Sequence, residues 1–313
     1  MNTLALIGKH FLNEIASSRW GFRIRWKRRV GYRAKGEAMA LEEKQHQTAA
    51  GKIAYWISRV SDPNVPWLVF LPGLTADHRL FDKQIEYFEG RANVLVWDAP
   101  NHGASRPFEL SWLLDDKARW LKEILDGEGI DQAILIGQSM GGYVSQVFMD
   151  MFPGVAAGFV SVDSCPLQKR YYAAWELAAL KHTKSMYLSI PWKALVKIGS
   201  NGVSTSTYGR WLMRQMMLDY GKREYCELAA HGYDVLADAV EADRPYRIDC
   251  PWLLICGTRD AAGSAKRYDR AWEKHTGNKI NWIEGAGHNS NCDAPDEVNA
   301  LIESFVRTLN RVI

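Results

Sequence analysis

The apolar run Ala133-Ile134-Leu135-Ile136 breaks into Gly137-Gln138-Ser139-Met140-Gly141, after which apolar residues recur at Val144, Val147 and Phe148. A short continuous apolar run is a buried strand, and three- and four-residue spacing is a helix packed on a sheet, so this stretch is constrained to strand, sharp turn and helix. Glycine two places before and two places after the serine admits a backbone conformation that a Cβ would obstruct, and leaves the Ser139 hydroxyl clear at the strand end. Gly142 lets the helix approach the sheet closely. Ser139 is therefore a candidate nucleophile. The plainer alternative, a glycine-rich turn with a solvated serine, does not need the flanking strand and helix.

A serine hydroxyl is a poor nucleophile at neutral pH until its proton has somewhere to go, so a base and an orienting carboxylate are required. Cys250 to Gly257 reads as a buried strand with Asp260 just beyond its end, and Lys279 to Ile283 as another, followed by Glu284-Gly285-Ala286-Gly287-His288. Asp163, at the end of Val160-Ser161-Val162, is a competing acid; Gly257-Thr258-Arg259-Asp260 is the loop that favours Asp260. The bland role for Asp163 is a helix N-cap or a hinge contact. Of the eight histidines, His288 is the candidate base, His102 is expected to order the loop after its strand, and His78, at the start of a helix, reads as a surface residue with a pocket position as the alternative.

The rest of the chain alternates. Strands are expected near 53–57, 67–71, 94–97, 133–136, 158–162, 253–256 and 279–283, and helices near 79–88, 111–125, 140–151, 262–274 and 295–309. Such alternation implies an α/β fold, a doubly wound and mainly parallel sheet with both faces covered and its site at the strands' C-terminal ends. Between about 165 and 247 the pattern turns helical, as in Tyr172, Trp175, Leu177, Ala178, Leu180 and in Trp211, Leu212, Gln215, Met216, which reads as an inserted helical lid. Its aromatic and Met side chains are expected mostly to form lid core, the remainder facing an apolar cleft.

On these residues the chain, from about Lys52 onward, resembles the α/β-hydrolase superfamily in its lid-bearing branch of esterases, carbon-carbon hydrolases and proline iminopeptidases. The order Ser139, Asp260, His288, each on a loop after a strand, is that superfamily's triad order. Phe70-Leu71-Pro72-Gly73-Leu74 resembles the loop that supplies an oxyanion donor, and Asp98-Ala99-Pro100-Asn101-His102-Gly103-Ala104-Ser105 resembles the Asp-x-x-Gly-His-Gly-x-Ser loop. Two departures stand out. Pro72 replaces the usual His and cannot donate a backbone hydrogen bond. Asn101 replaces a Gly, and Asn is the residue that best tolerates a left-handed backbone. The resemblance implies the backbone amides of Leu74 and Met140 as oxyanion donors.

Composition bounds the remainder. The 313 residues are 47% apolar and 24% charged, enough for one large core with an inserted unit. Five cysteines without a Cys-x-x-Cys pair suit a reducing compartment, and a cytoplasmic location is expected. No glycine-rich dinucleotide fingerprint, phosphate loop or zinc spacing occurs, so neither an organic cofactor nor a metal is expected. Residues 1–38 carry nine Lys or Arg against Glu14 and Glu37, a net +7 in a chain of +3, so the other 275 residues carry −4. This basic extension, with Trp20, Phe22 and Trp26 interleaved, would suit peripheral contact with an anionic membrane, but the plainer reading is favoured, in which Met39 is the natural start of the 39–313 domain and residues 1–38 are upstream sequence or a loose extension; a targeting signal is the third alternative. Nucleic acid is not an expected partner.

The expected activity is that of a serine hydrolase on a carboxylic ester or thioester of a small to medium apolar acyl group. Two alternatives stand beside it: carbon-carbon or N-terminal peptide bond cleavage by the same triad, and a non-catalytic ligand-binding protein of the same fold. Peptide work needs an acid to hold an amine, for which Glu176 and Glu227 are candidates, though both read as plain surface charges.

Overall fold

The structure is a computed structural model that describes residues 41–62 and 64–309. The basic extension 1–38 lies outside the described residues. Strands β1 (Glu42–Thr48), β2 (Gly51–Ser58), β3 (Trp67–Leu71), β4 (Asn93–Trp97), β5 (Ala133–Gln138), β6 (Ala156–Val162), β7 (Trp252–Gly257) and β8 (Ile280–Ile283) form one sheet in the order β1-β2-β4-β3-β5-β6-β7-β8. β1 pairs antiparallel with β2 and β2 with β4; from β4 to β8 every pairing is parallel. Seven of these strands follow the apolar runs. β1 was not expected: its sequence Glu-Glu-Lys-Gln-His-Gln-Thr has no apolar residue, because it is an edge strand whose charged side chains suit solvent.

Helices α1 (Asp82–Phe88), α2 (Leu114–Gly127), α3 (Met140–Met151), α9 (Ala265–Thr276), α10 (Ser290–Asp293) and α11 (Pro295–Leu309) belong to the sheet domain, and a 3-10 turn over His78–Phe81 precedes α1. Five more, α4 (Ala174–Leu180), α5 (Thr183–Ser189), α6 (Trp192–Val203), α7 (Thr207–Tyr220) and α8 (Lys222–Glu241), are inserted between β6 and β7.

The two-residue period of the strands divides the core. Val69, Leu71, Leu95, Trp97 and Leu135 point to one face and pack with α2, α3 and α9; Leu68, Phe70, Val94, Val96, Ile134 and Ile136 point to the other and pack with α1 and α11. Each fully buried Leu, Ile, Val or Phe contributes about 1.5–3 kcal/mol relative to exposure. Both faces are thereby covered, and every parallel strand ends at the same edge of the sheet.

β3 lies between β4 and β5, so the chain leaves β3 first to one side and later to the other. Such a reversal opens a crevice beyond the strands' C-terminal ends. The loops after β3 and β5 meet there.

The insert packs mostly as expected, with Tyr171, Tyr172, Tyr187 and Trp192 against the core, and departs from expectation at two tryptophans. Met213, Met216 and Met217 are buried, but Trp175 and Trp211 are 69% and 56% exposed. Spacing identifies which residues share a helix face, and these two faces look outward.

Candidate active site

Ser139 follows the last residue of β5 at φ 50° and ψ −118°, a left-handed backbone that a non-glycine residue adopts only when its surroundings fix it. Three hydrogen bonds do so. The Ser139 amide donates to the Val162 carbonyl at 3.0 Å, and the Ser139 carbonyl accepts from the Gly142 amide at 2.9 Å and from Ser164 Oγ at 2.7 Å. Close approach explains the flanking glycines: a Cβ on Gly141 would collide with the Leu71 carbonyl, and one on Gly137 with the backbone of Gly141 and Gly142.

His288 and Asp260 reach the serine from the loops after β8 and β7. His288 Nε2 lies 2.8 Å from Ser139 Oγ, and His288 Nδ1 lies 2.9 Å from Asp260 Oδ2. Asp260 Oδ1 accepts from the Ala262 amide at 2.8 Å, which fixes the carboxylate plane. The two loops are tied together, since the Arg259 amide donates to the Ala286 carbonyl at 2.8 Å and the Thr258 amide to Ile283 at 2.9 Å.

Burial, the largest influence on His288, lowers its pKa; the charge and hydrogen bond of Asp260, with Asp163 and Asp269 behind, outweigh it and raise the imidazole from 6.5 to about 9. Burial likewise works to raise the Asp260 carboxyl, but the charge and hydrogen bond of His288 hold it below the ordinary range. Burial pushes Asp163 up to about 7 and Asp269 up to about 8.

The competing acid occupies a different role. Asp163 is fully buried at φ 47°, and its two oxygens accept from the Gly257 amide and the Ser290 amide, each at 2.8 Å. It braces the ends of the Asp260 and His288 loops, while Asp260 alone of the two bonds the imidazole.

Leu74 and Met140 flank the serine. Met140 is the first residue of α3, where amides have no intrahelical acceptor, and among the described residues neither the Leu74 nor the Met140 amide is spent on a loop or cap hydrogen bond. Gly73 presses on the nucleophile turn: a Cβ there would stand 3.1 Å from Ser139 Cβ and collide with Gln138 Oε1. Gln138 also donates from Nε2 to the His288 carbonyl at 2.7 Å and to Asn289 Oδ1 at 3.2 Å. Sequence reasoning missed this bridge, and nothing in the position between Gly and Ser signals it.

The loop after β4 is built around Asp98. Its Oδ1 accepts from the His78 amide at 2.7 Å and lies 2.9 Å from His78 Nδ1, and its Oδ2 accepts from the Ala104 amide at 2.6 Å. His78 is thus not a free surface residue; its ring packs tilted against Trp56 with ring centroids 3.7 Å apart. Asn101 takes φ 66°, the left-handed turn for which Asn substitutes for Gly. His102 is fully buried with Nδ1 2.9 Å from the Pro100 carbonyl, and burial drives its pKa down to about 3, so it is a neutral loop-ordering group.

Two clusters among the described residues group ligand-type atoms, Asp77-His78-Asp98 and Asp163-Cys256-Asp260. Their carboxylates are already engaged by Arg79, His78 and the Ala104 amide in the first, and by the Gly257, Ser290 and Ala262 amides and His288 in the second.

The chain is similar to the (E)-2-((N-methylformamido)methylene)succinate hydrolase of Acinetobacter baylyi, 26% identical over 247 residues that cover 77% of this chain and 90% of that one. It is similar also to 3-oxoadipate enol-lactonase 2 of the same organism, 25% identical over 255 residues covering 78% and 90%. Among solved structures, a hydrolase from Pseudomonas aeruginosa superposes with a TM-score of 0.71 at 18% identity, covering 84% of this chain and 98% of that one. Since residues 68–301, most of the sheet domain and its insert, match the Alpha/beta hydrolase family, the chain belongs to that family.

Proposed function

We propose that the protein is a serine hydrolase that cleaves a carboxylic ester or thioester of a small to medium apolar acyl group through an acyl-enzyme. The observation that carries this reading is the unbroken line from Ser139 Oγ through His288 to Asp260, with contacts of 2.8 and 2.9 Å. Ser139 Oγ attacks the carbonyl carbon and its proton passes to His288 Nε2. Asp260 holds the Nδ1 proton and stabilises the imidazolium. The oxyanion is received by the Leu74 and Met140 amides, a contribution of about 2.7–4 kcal/mol per donor. The C–O or C–S bond then breaks as His288 returns the proton to the leaving group. Water attacks the acyl-enzyme, gives its proton to His288, and Ser139 Oγ leaves with that proton restored.

The insert acts as the lid in this reading. In support, the Leu74 side chain packs closely against Gly232 of α8. Peptide-bond cleavage is disfavoured, because the insert acids proposed to hold an amine have partners: Glu176 accepts from Arg267 and Ser264, and Glu227 from Arg223. A lactone is a cyclic ester and follows the same steps, so the enol-lactonase relatives make lactones the second substrate class to test. No helix among the described residues is long and apolar enough to cross a membrane, and all five cysteines are unpaired.

Labelling with a fluorophosphonate, together with a panel of p-nitrophenyl esters of graded chain length and a lactone, tests the proposal. Labelling at Ser139 with turnover of the short and medium esters is expected. Absence of labelling would favour the non-catalytic reading, and labelling without any ester or lactone turnover would favour carbon-carbon or peptide bonds.

The pH profile is a further check. Only the neutral imidazole accepts the serine proton, so kcat/KM is expected to rise with pH through an apparent pKa above the ordinary 6.5. A limb centred at or below 6.5 would show that the carboxyls around His288 do not hold its proton in the free enzyme.

A further inference from the structure

The loop that carries His288 is fastened to the middle of the insert by one carboxylate. Ser204, Thr205 and Ser206 join α6 to α7. Asp293, the last residue of α10, accepts from the Thr205 amide at 2.9 Å and the Gly287 amide at 2.8 Å through Oδ2, and from the Ser206 amide at 2.9 Å and Ser204 Oγ through Oδ1. Thr205 Oγ1 lies 3.0 Å from Oδ2 and 2.9 Å from the Gly285 carbonyl, sharing its single proton between them. The Asn289 amide donates to the Val203 carbonyl at 2.8 Å. His288 is consequently held on both sides in sequence: Gly287 by Asp293, and Asn289 by the end of α6. No Lys or Arg among the described residues pairs with Asp293. Burial would raise its carboxyl, but the Ser204, Ser206, Thr205 and Gly287 donors hold it below the ordinary range, so it remains an anion satisfied by loop donors.

The segments also touch closely. A Cβ on Gly287 would stand 3.0 Å from the Val203 carbonyl and 3.3 Å from Asp293 Oδ2. Substrate closure by a hinged lid needs a segment that can leave the catalytic loops, whereas this junction shares hydrogen bonds with the residues on either side of His288.

We propose that Asp293 is a positioning residue for His288, acting through the Gly287 amide, and that the α6–α7 junction is a fixed strut of the catalytic loop. The proposal rests on the reading of Ser139 and His288 as nucleophile and base. Without Asp293 the loop loses its anchor and the imidazole loses register with Ser139 Oγ and Asp260; misplacement on the order of 1 Å costs about 10²-fold in rate.

The test uses the full chain with Asp293→Ala and Asp293→Asn, reading the fluorophosphonate labelling rate, kcat and KM on a soluble ester, the acidic limb of kcat/KM, and thermal melting. Asp293→Ala is expected to lower kcat and the labelling rate by about 10²-fold with KM little changed. The limb should fall toward 6.5 as contact with Asp260 is lost. Asp293→Asn, which keeps one acceptor oxygen, should recover part of the rate, and in a His288→Ala background Asp293→Asn should cost nothing further. Should Asp293→Ala fail to fold, Asp293→Asn and the pair Ser204→Ala with Thr205→Val carry the test, the pair losing less because Gly287 keeps its acceptor. A variant that melts lower yet keeps the wild-type labelling rate and limb would reduce Asp293 to a brace and overturn the proposal. An equal loss with His288 already removed would overturn it as well. Failure of the underlying reading is distinguishable, since the unmodified protein would then not label at all.

Discussion

Ser139→Ala is expected to abolish turnover while the protein keeps its fold. The substitution removes only Oγ, whose hydrogen bond is to His288 Nε2; the hydrogen bonds that hold the backbone at φ 50° come from the Ser139 amide and carbonyl and are unaffected. Alanine keeps the Cβ, so no steric change arises at the turn. Only that one hydrogen bond is lost, so stability should change by no more than about 0.5–1.5 kcal/mol. The rate should fall by several decades, up to about 10⁶ in kcat where nucleophile and base act as a unit. That is roughly 8 kcal/mol of transition-state stabilisation. His288→Ala should behave alike, and the double replacement should cost little more than either. Ester turnover and melting measured on all three variants check this, and a residual rate above about a hundredth of the original would remove Ser139 from its role.

How far the sequence could carry the reading depended on distance along the chain. The strands from β2 to β8 are mostly apolar runs, legible because both faces of the sheet are covered, though Ser58, Asn93, Gln138 and Ser161 are polar residues buried among them. β1 was invisible for the opposite reason: its outer edge faces solvent, and Lys44 and His46 instead reach Glu128 and Glu123 near the end of α2. Ser139 was legible from local sterics, because the glycines that permit its turn are two residues away. His288 and Asp260 were legible only as an order of loops; their contacts span 149 and 28 residues, which no local pattern encodes. Gln138 and Asp293 escaped notice on the same ground, as each joins segments more than 80 residues apart. His78 was misread because a first-turn histidine looks solvated until the Asp98 loop is folded against it. Glu176 was misread as a surface charge until α9 supplied Arg267.

The two buried acids are separated by paired substitutions with opposite signatures. Asp260→Asn is expected to lower the rate by about 10⁴, since an amide at this position favours the wrong tautomer and supplies no charge to the imidazolium. Its fold should survive, because the remaining carbonyl oxygen can still accept from the Ala262 amide. Asp163→Asn should do the reverse. Asp163 accepts from two buried amides, Gly257 and Ser290, and an Asn offers one oxygen for the two, so one amide is orphaned at a cost of about 1–3 kcal/mol. The pH dependence carries a second signature. Burial raises Asp163 to about 7 from an unfolded value of 3.8, so between those values the unfolded chain binds fewer protons and stability declines as pH rises. Asp163→Asn removes this contribution and should flatten the slope over that window, whereas Asp260, whose folded pKa is lowered, stabilises at higher pH and loses that stabilisation as pH falls through its folded value. Melting from pH 4 to 8 and ester turnover at a fixed pH, measured on both variants, separate the two roles. A 10⁴-fold loss in Asp163→Asn with Asp260→Asn nearly unaffected would move the orienting acid to the end of β6, and the hydrogen bond from His288 to Asp260 would then have to be replaced by one to Asp163 when substrate binds.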